Sequence, residues 1–330
     1  MNISSSLVTV AVALLGLVLS FYIWNSKRKN RPLICPLKSD CDAVVKSDFS
    51  RLFGIPLEIL GMIYYALTAL GYAIFSFYPL WKTPLPTFIF LVITTIAFLF
   101  SIYLTSVQAF AIRQWCVWCL ASASFCAILF ATTIIGNDLS FTDMLIRYYD
   151  FLVAGLTVGL TLGVGAVTVY NVVYIKFLRD LKISPAEQDT LKTIGQIVWI
   201  ALIIIIFSAF SLYLSAPEIH NTSPTFILKI IVLGVILLSD AMMNILIAPQ
   251  LIDISVGKRP EHTAGEFRAL RRFSFALSAS SLISWYSLLT LLVLPLTIPA
   301  TLGKLIIYYL IALASGIILS QLVNYSLQQK

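Results

Sequence analysis

The sequence predicts an all-α integral membrane protein, a four-helix transmembrane bundle followed by a five-helix transmembrane region, about nine spans in all. Three observations predict it. Of the 330 residues, 59% are hydrophobic and only 11% charged, against roughly 45–50% and 25% for soluble domains. Mean hydropathy is +0.95. Apolar stretches of about 20 residues, the length that crosses a bilayer, recur at 6–24, 57–80, 86–110, 115–136, 151–175, 193–215, 225–248, 272–294 and 303–325. These values exclude a water-soluble domain, a disordered chain and a nucleic-acid binder, despite the net charge of +7.

Taken in order, the first stretch carries no positive charge before it, and Lys27, Arg28, Lys29 and Arg31 follow it. That is the pattern of a retained anchor and not of a cleaved signal peptide. The loop at 25–56 holds two cysteines and the mixed segment Val44–Phe53, whose alternating apolar and charged sides predict a short helix lying on the membrane surface. Gly54 and Pro56 then set the turn into the second span. A polar break at 137–150 separates four spans that contain every cysteine from five that contain none, giving domains 1–137 and 138–330. In the second half, Gly155, Gly159, Gly163 and Gly165 read as small residues that permit close helix packing. Ser184-Pro185-Ala186-Glu187 reads as a helix start with a capping box and a first-turn proline. The loop at 253–272 is rich in Lys, Arg and Glu. Asp240, near Asn244, is an intramembrane charge, either a proton or ligand site or a structural partner for a residue such as Asn171. His220 reads as an exposed loop residue.

With nine spans, Lys82, Arg147, Lys229 and Lys304 lie on one face, and the other 18 of the 22 Lys and Arg lie on the opposite face. The positive-inside rule places those 18 in the cytoplasm. The same face carries the loop with Cys35 and Cys41.

Four of the five cysteines form two close pairs, Cys35 with Cys41 and Cys116 with Cys119, the latter in Cys-Val-Trp-Cys at the start of the fourth span. Both pairs fall on one membrane face, so the four sulfurs can meet. At i and i+3 two sulfurs share a helix face, and the positive end of a helix favours thiolate, the species that attacks a disulfide. The loop pair is placed to deliver electrons to the helix pair, which points toward the membrane interior where a lipid-soluble acceptor would sit. A four-cysteine zinc site and a merely structural loop disulfide remain alternatives. A transporter or channel, suggested by nine spans and Asp240, is the competing class. Cys126, about 10 Å deeper than Cys119 along the helix, reads as a small apolar core residue.

The run Cys35-Pro36-Leu37-Lys38-Ser39-Asp40-Cys41-Asp42, then Val44-Val45-Lys46-Ser47, Gly54-Ile55-Pro56-Leu57-Glu58, Gly61, Tyr64-Tyr65 and Trp115-Cys116-Val117-Trp118-Cys119, resembles the vitamin K epoxide reductase family in its bacterial and archaeal form. The resemblance spans roughly residues 5–136. It implies a membrane thiol:quinone oxidoreductase that supports protein disulfide formation. A thioredoxin-like protein acting in trans reduces the loop pair, Cys41 exchanges with Cys116, and Cys119 passes electrons to a quinone of the menaquinone or ubiquinone type. The implied catalytic residues are Cys35, Cys41, Cys116 and Cys119, with no metal. Candidates for quinone contact are Cys119, Leu57, Glu58, Ala123 and Ser47. Ser47 matches a polar position of the family's loop helix, and Glu58 is a candidate proton donor or a carboxylate favoured by its helix N-terminus. Leu57 and Ala123 stand where animal members carry an Asn and a Tyr that contact the quinone, which argues against epoxide reduction. Most family members place their cysteines outside the cytoplasm, opposite to the charge count.

Overall fold

The computed structural model describes residues 3–33, 35, 41–135, 141–179, 185–221, 223–247, 264–293 and 301–328. The stretch 36–40 of the cysteine loop, the start of the polar break at 136–140, Ser184 of the capping box and most of the 253–272 loop lie outside them. The chain divides into two compact units, Met1–Asp150 and Phe151–Lys330. Among the described residues, nine helices are long and apolar enough to cross a membrane: Ser6–Arg28, Leu57–Phe77, Pro84–Ile112 and Val117–Ile135 in the first unit, and Tyr149–Phe177, Asp189–Ser215, Pro224–Asn244, Ala269–Leu292 and Leu302–Ser326 making up most of the second. The protein is an all-α, multi-pass membrane protein.

The first unit comprises α1 (Ile3–Arg28), α2 (Cys41–Val45), α3 (Leu57–Phe77), α4 (Pro84–Val107), α5 (Val117–Ile135) and α6 (Phe141–Arg147). Helix α1 packs along α3 and α5, and α4 along α5. Lipid tails are as apolar as the helices, so close packing and hydrogen bonds, not burial from water, hold such a bundle. Gly16 lets the Tyr65 ring lie against α1, and Gly61 admits Ser20 from the other side. The centre is Ala13, Tyr65, Ala69, Cys126 and Leu129. Phe98 stacks on Phe130 at 5.0 Å between α4 and α5, and Tyr72 donates to Thr133 Oγ1 at 3.0 Å between α3 and α5.

The expected surface helix over 44–53 is not what forms. Helix α2 starts earlier, at Cys41, and stops at Val45. The Ser47 hydroxyl takes the Val44 carbonyl at 2.7 Å and ends the turn. A two-stranded hairpin follows, β1 (Arg51–Leu52) paired antiparallel with β2 (Ile55–Pro56). Its two loop residues, Phe53 at φ 50° and Gly54 at φ 81°, are both left-handed, the combination that a two-residue type I′ turn requires. Amphipathic spacing over ten residues is weak against a turn of that kind.

The second unit contains α7 (Tyr149–Arg179, from the last two residues of the first unit), α8 (Pro185–Ser215), α9 (Pro217–Asn221), α10 (Pro224–Ala241), α11 (Ala264–Val293) and α12 (Leu302–Gln328). Helix α11 begins well inside the expected 253–272 loop. Its Trp285, fully buried, anchors a core with Leu160, Val198, Leu202, Val232 and Ile236. On α7, Gly155 and Gly159 face α8 and Gly163 faces Trp285, whereas Gly165 meets no neighbour, so three of the four glycines serve packing. Asp240 is the partner of α11: Trp285 Nε1 donates to Oδ2 at 3.0 Å and Ser281 donates to Oδ1. His220 is half-buried in α9, its Nδ1 against the Ala216 carbonyl at 2.7 Å and its ring edge-on to Phe226, and is not the exposed loop residue expected.

Candidate thiol redox site

Cys116 sits one residue before α5, at its cap and not within its first turn. The Cys119 backbone N–H donates to Cys116 Sγ at 3.2 Å, so sulfur fills the place that a Ser or Asp oxygen takes at other helix starts. The chain reaches this position through a widened turn. Residues Gln108–Ile112 form a π-helical end to α4, and Arg113 closes it in the left-handed region at φ 56°, an arrangement frequent at functional sites. Buried Gln108 then accepts the Cys116 N–H on Oε1 at 3.0 Å. The Cys116 thiol is held below the ordinary thiol range, first by the hydrogen-bonded Cys119 thiol and then by the N–H groups of Cys119 and Trp118, which together outweigh its burial.

The loop pair is built separately. Cys35 and Cys41 are joined as a disulfide, with Cα atoms 6.0 Å apart. Asp42 ties the two arms together: it accepts the Leu33 N–H at 3.1 Å and the Lys46 ammonium at 2.7 Å. Lys46 and then Leu33 hold its carboxyl below the usual carboxylate range. Asp42 also lies in the first turn of α2, and Asp-to-Lys at i, i+4 is the favoured order on a helix.

The two pairs meet. Cys41 and Cys116 are buried in one apolar cluster with Leu19, Ile23, Leu33, Val44 and Val45, and Cys35, Cys119, Trp118 and Phe125 pack at its margin. Cys116 and Cys119 are free thiols. Among the described residues, no group of three or more His, Cys, Asp or Glu is placed to hold a metal ion.

Of the other expected residues, Glu58 lies in the first turn of α3, buried and ion-paired with Lys27 at 3.1 Å. It is also within electrostatic range of Cys119. Leu57 and Ala123 are half-buried, Ala123 one turn beyond Cys119 on the same side of α5. Ser47 is spent on the end of α2. Sequence reasoning missed Gln108 and Lys27. Lys27 lies far along the chain from Glu58, and Gln108, though close to Cys116 in sequence, looks like any polar residue near a span's end. It also left Tyr64 and Tyr65 without roles. The Tyr65 hydroxyl donates to the Ser122 carbonyl at 2.9 Å and touches Cys126 Sγ at 3.4 Å, so Cys126 is a hydrogen-bonded core residue. The Tyr64 hydroxyl is buried with no hydrogen-bond partner among the described residues.

A dithiol capping a membrane helix, with a disulfide packed into the same apolar cluster, defines a membrane-embedded thiol redox bundle. Residues 7–134 match the model of the Vitamin K epoxide reductase family, so this segment is similar to that family. No curated protein matches the chain, and no solved structure does.

Proposed function

We propose that the first unit is a thiol:quinone oxidoreductase that draws electrons from a thioredoxin-like protein in trans and so supports disulfide formation. The observation that carries this reading is the burial of Cys41 and Cys116 in one apolar cluster, each beside its own redox partner. A dithiol partner reduces Cys35–Cys41 to two thiols and leaves as a disulfide. The Cys41 thiolate attacks Cys116 of an oxidised Cys116–Cys119 pair and releases Cys119 as a thiolate that takes a proton. The Cys35 thiolate then attacks Cys41 and releases Cys116. The loop disulfide is restored and the helix pair is left as dithiol, the oxidation pattern of the described state. The lowered Cys116 thiol suits it to leave in the last step, because a lower leaving-group pKa speeds exchange.

A quinone of the menaquinone or ubiquinone type would supply a two-electron, two-proton sink. The residues that would hold one are half-buried Leu57 and Ala123, Ala123 one turn beyond Cys119, with the unpartnered Tyr64 hydroxyl, which packs on the cluster around Cys126, as a donor for a carbonyl oxygen. Glu58, held by Lys27, stands as the ionisable group nearest the pair on α3. The catalytic domain is 1–137 and the remaining 138–330 a second membrane domain. The excess of Lys and Arg supports a cytoplasmic catalytic face for the first domain, against the extracytoplasmic face of family precedent.

Purified protein in lipid, given a reduced thioredoxin-like protein, is expected to reduce ubiquinone or menaquinone. Cys116→Ala and Cys119→Ala abolish turnover, and Cys35→Ala accumulates a Cys41–Cys116 mixed disulfide visible in peptide mapping. Unchanged turnover in either helix-pair variant overturns the reading.

A further inference from the structure

We infer that the second unit holds an oxyanion-binding site on Arg271, built for a carboxylate or a phosphate group. Arg271 lies in the first turns of the membrane span of α11 and is only 3% exposed. Its Nε and Nη2 are buried and find no hydrogen-bond acceptor among the described residues. Those two nitrogens form one edge of the guanidinium, and their N–H bonds run parallel, the fork that takes two oxygens of one carboxylate or phosphate. A buried charge left unpaired costs several kcal/mol in general, so an anion at that edge supplies what the fold omits.

The surroundings are organised around the side chain. The guanidinium Cζ lies over the Phe275 ring, 5.8 Å from its centroid, which leaves the Nε–Nη2 edge free for two oxygens. Ser274 donates to the Arg271 carbonyl at 2.7 Å and accepts from the Tyr174 hydroxyl at 2.6 Å, which fixes α11 against α7 at this level. Tyr170, Tyr174, Leu191, Met243, Ile247 and Phe275 form one apolar cluster here. Further along the same face Ser278 is buried, and its Oγ likewise has no partner among the described residues. Asp240 does not answer the charge, because its oxygens are taken by Ser281 and Trp285. Ser281 lies ten residues along α11 from Arg271, about 15 Å by helical rise.

The oxyanion has two possible sources, a lipid headgroup or a free anion, and the test separates them. The full-length protein is measured in neutral-lipid nanodiscs alone, with inorganic phosphate added, with decanoate added, and in nanodiscs containing phosphatidylglycerol. Thermal unfolding is the readout, with native mass spectrometry for retained anions. At least one probe is expected to raise the unfolding temperature of the wild type. The shift disappears in Arg271→Gln and persists in the control Arg272→Gln, whose side chain is exposed. Arg271→Lys keeps charge without the fork and weakens binding about tenfold. A response to phosphatidylglycerol alone identifies the lipid, and a response to phosphate or decanoate identifies a free anion. If Arg271→Gln does not fold, Arg271→Lys and mass spectrometry of the wild type decide. The inference is overturned if no probe shifts the wild type and no anion is retained, or if the shift survives replacement of Arg271.

Discussion

At the scale of single residues, Cys116 shows how a helix start becomes a chemical device. Its sulfur fills the cap that the Cys119 N–H needs, so ionising it strengthens the cap. A thiol whose folded pKa is depressed contributes stability above its unfolded pKa, and that contribution is lost as pH falls through the folded value. Reduced protein is therefore expected to lose stability, and Cys116 to lose alkylation rate, only below the ordinary thiol range. Cys119→Ala removes the leading cause and moves the alkylation midpoint of Cys116 upward; an unmoved midpoint refutes the assignment. The ion pair of Lys27 with Glu58 is tested by unfolding. Lys27→Met strands a buried carboxylate and costs about 3 kcal/mol, while Lys27→Met with Glu58→Leu costs less than the single change. Both cysteine pairs and Glu58 were legible in the sequence, because rare polar types in an apolar chain stand out. Lys27 was legible only as one of a run of charges that follow the first span, since its partner lies beyond the whole cysteine loop.

At the scale of elements, the spans were readable to within four residues at each end, because a bilayer leaves a backbone segment little choice but to satisfy itself as a helix. The cysteine loop was not. Its Val44–Phe53 segment has a helical pattern, yet the chain spends it on the end of α2, a turn and a hairpin. The short pattern competes with a Phe53-Gly54 turn whose geometry depends on two backbone angles. An added Cβ at Gly54 meets nothing within 4 Å, so Gly54→Ala isolates the backbone term. It is expected to destabilise the reduced protein by roughly 1–2 kcal/mol, read as a lower unfolding temperature. An unchanged temperature would mean that the hairpin carries no strain at this position. The π-helical end of α4 was invisible to the sequence, because a single widened turn leaves no periodic trace, although it brings Gln108 to Cys116.

At the scale of the whole molecule, the charge count and the family resemblance disagree about sidedness, and a labelling experiment decides between them. With the loop disulfide reduced, a membrane-impermeant maleimide is expected to modify Cys35 from the cytoplasmic side of inverted vesicles and not from the outside of intact cells. The opposite result reverses the face and leaves the relay chemistry intact. Hydropathy alone determined the nine candidate crossings among the described residues, and spacing alone determined the two thiol pairs, because both are local properties of the chain. The tertiary structure decided which thiol caps a helix, that Glu58 is answered by Lys27 and Asp240 by Ser281 and Trp285, and that Nε and Nη2 of Arg271 find no hydrogen-bond partner among the described residues. Those outcomes depend on which helices lie side by side. In a bundle of nearly uniform apolarity, close packing sets the neighbours, and packing is a property of shapes in space that no pattern along one strand of sequence records.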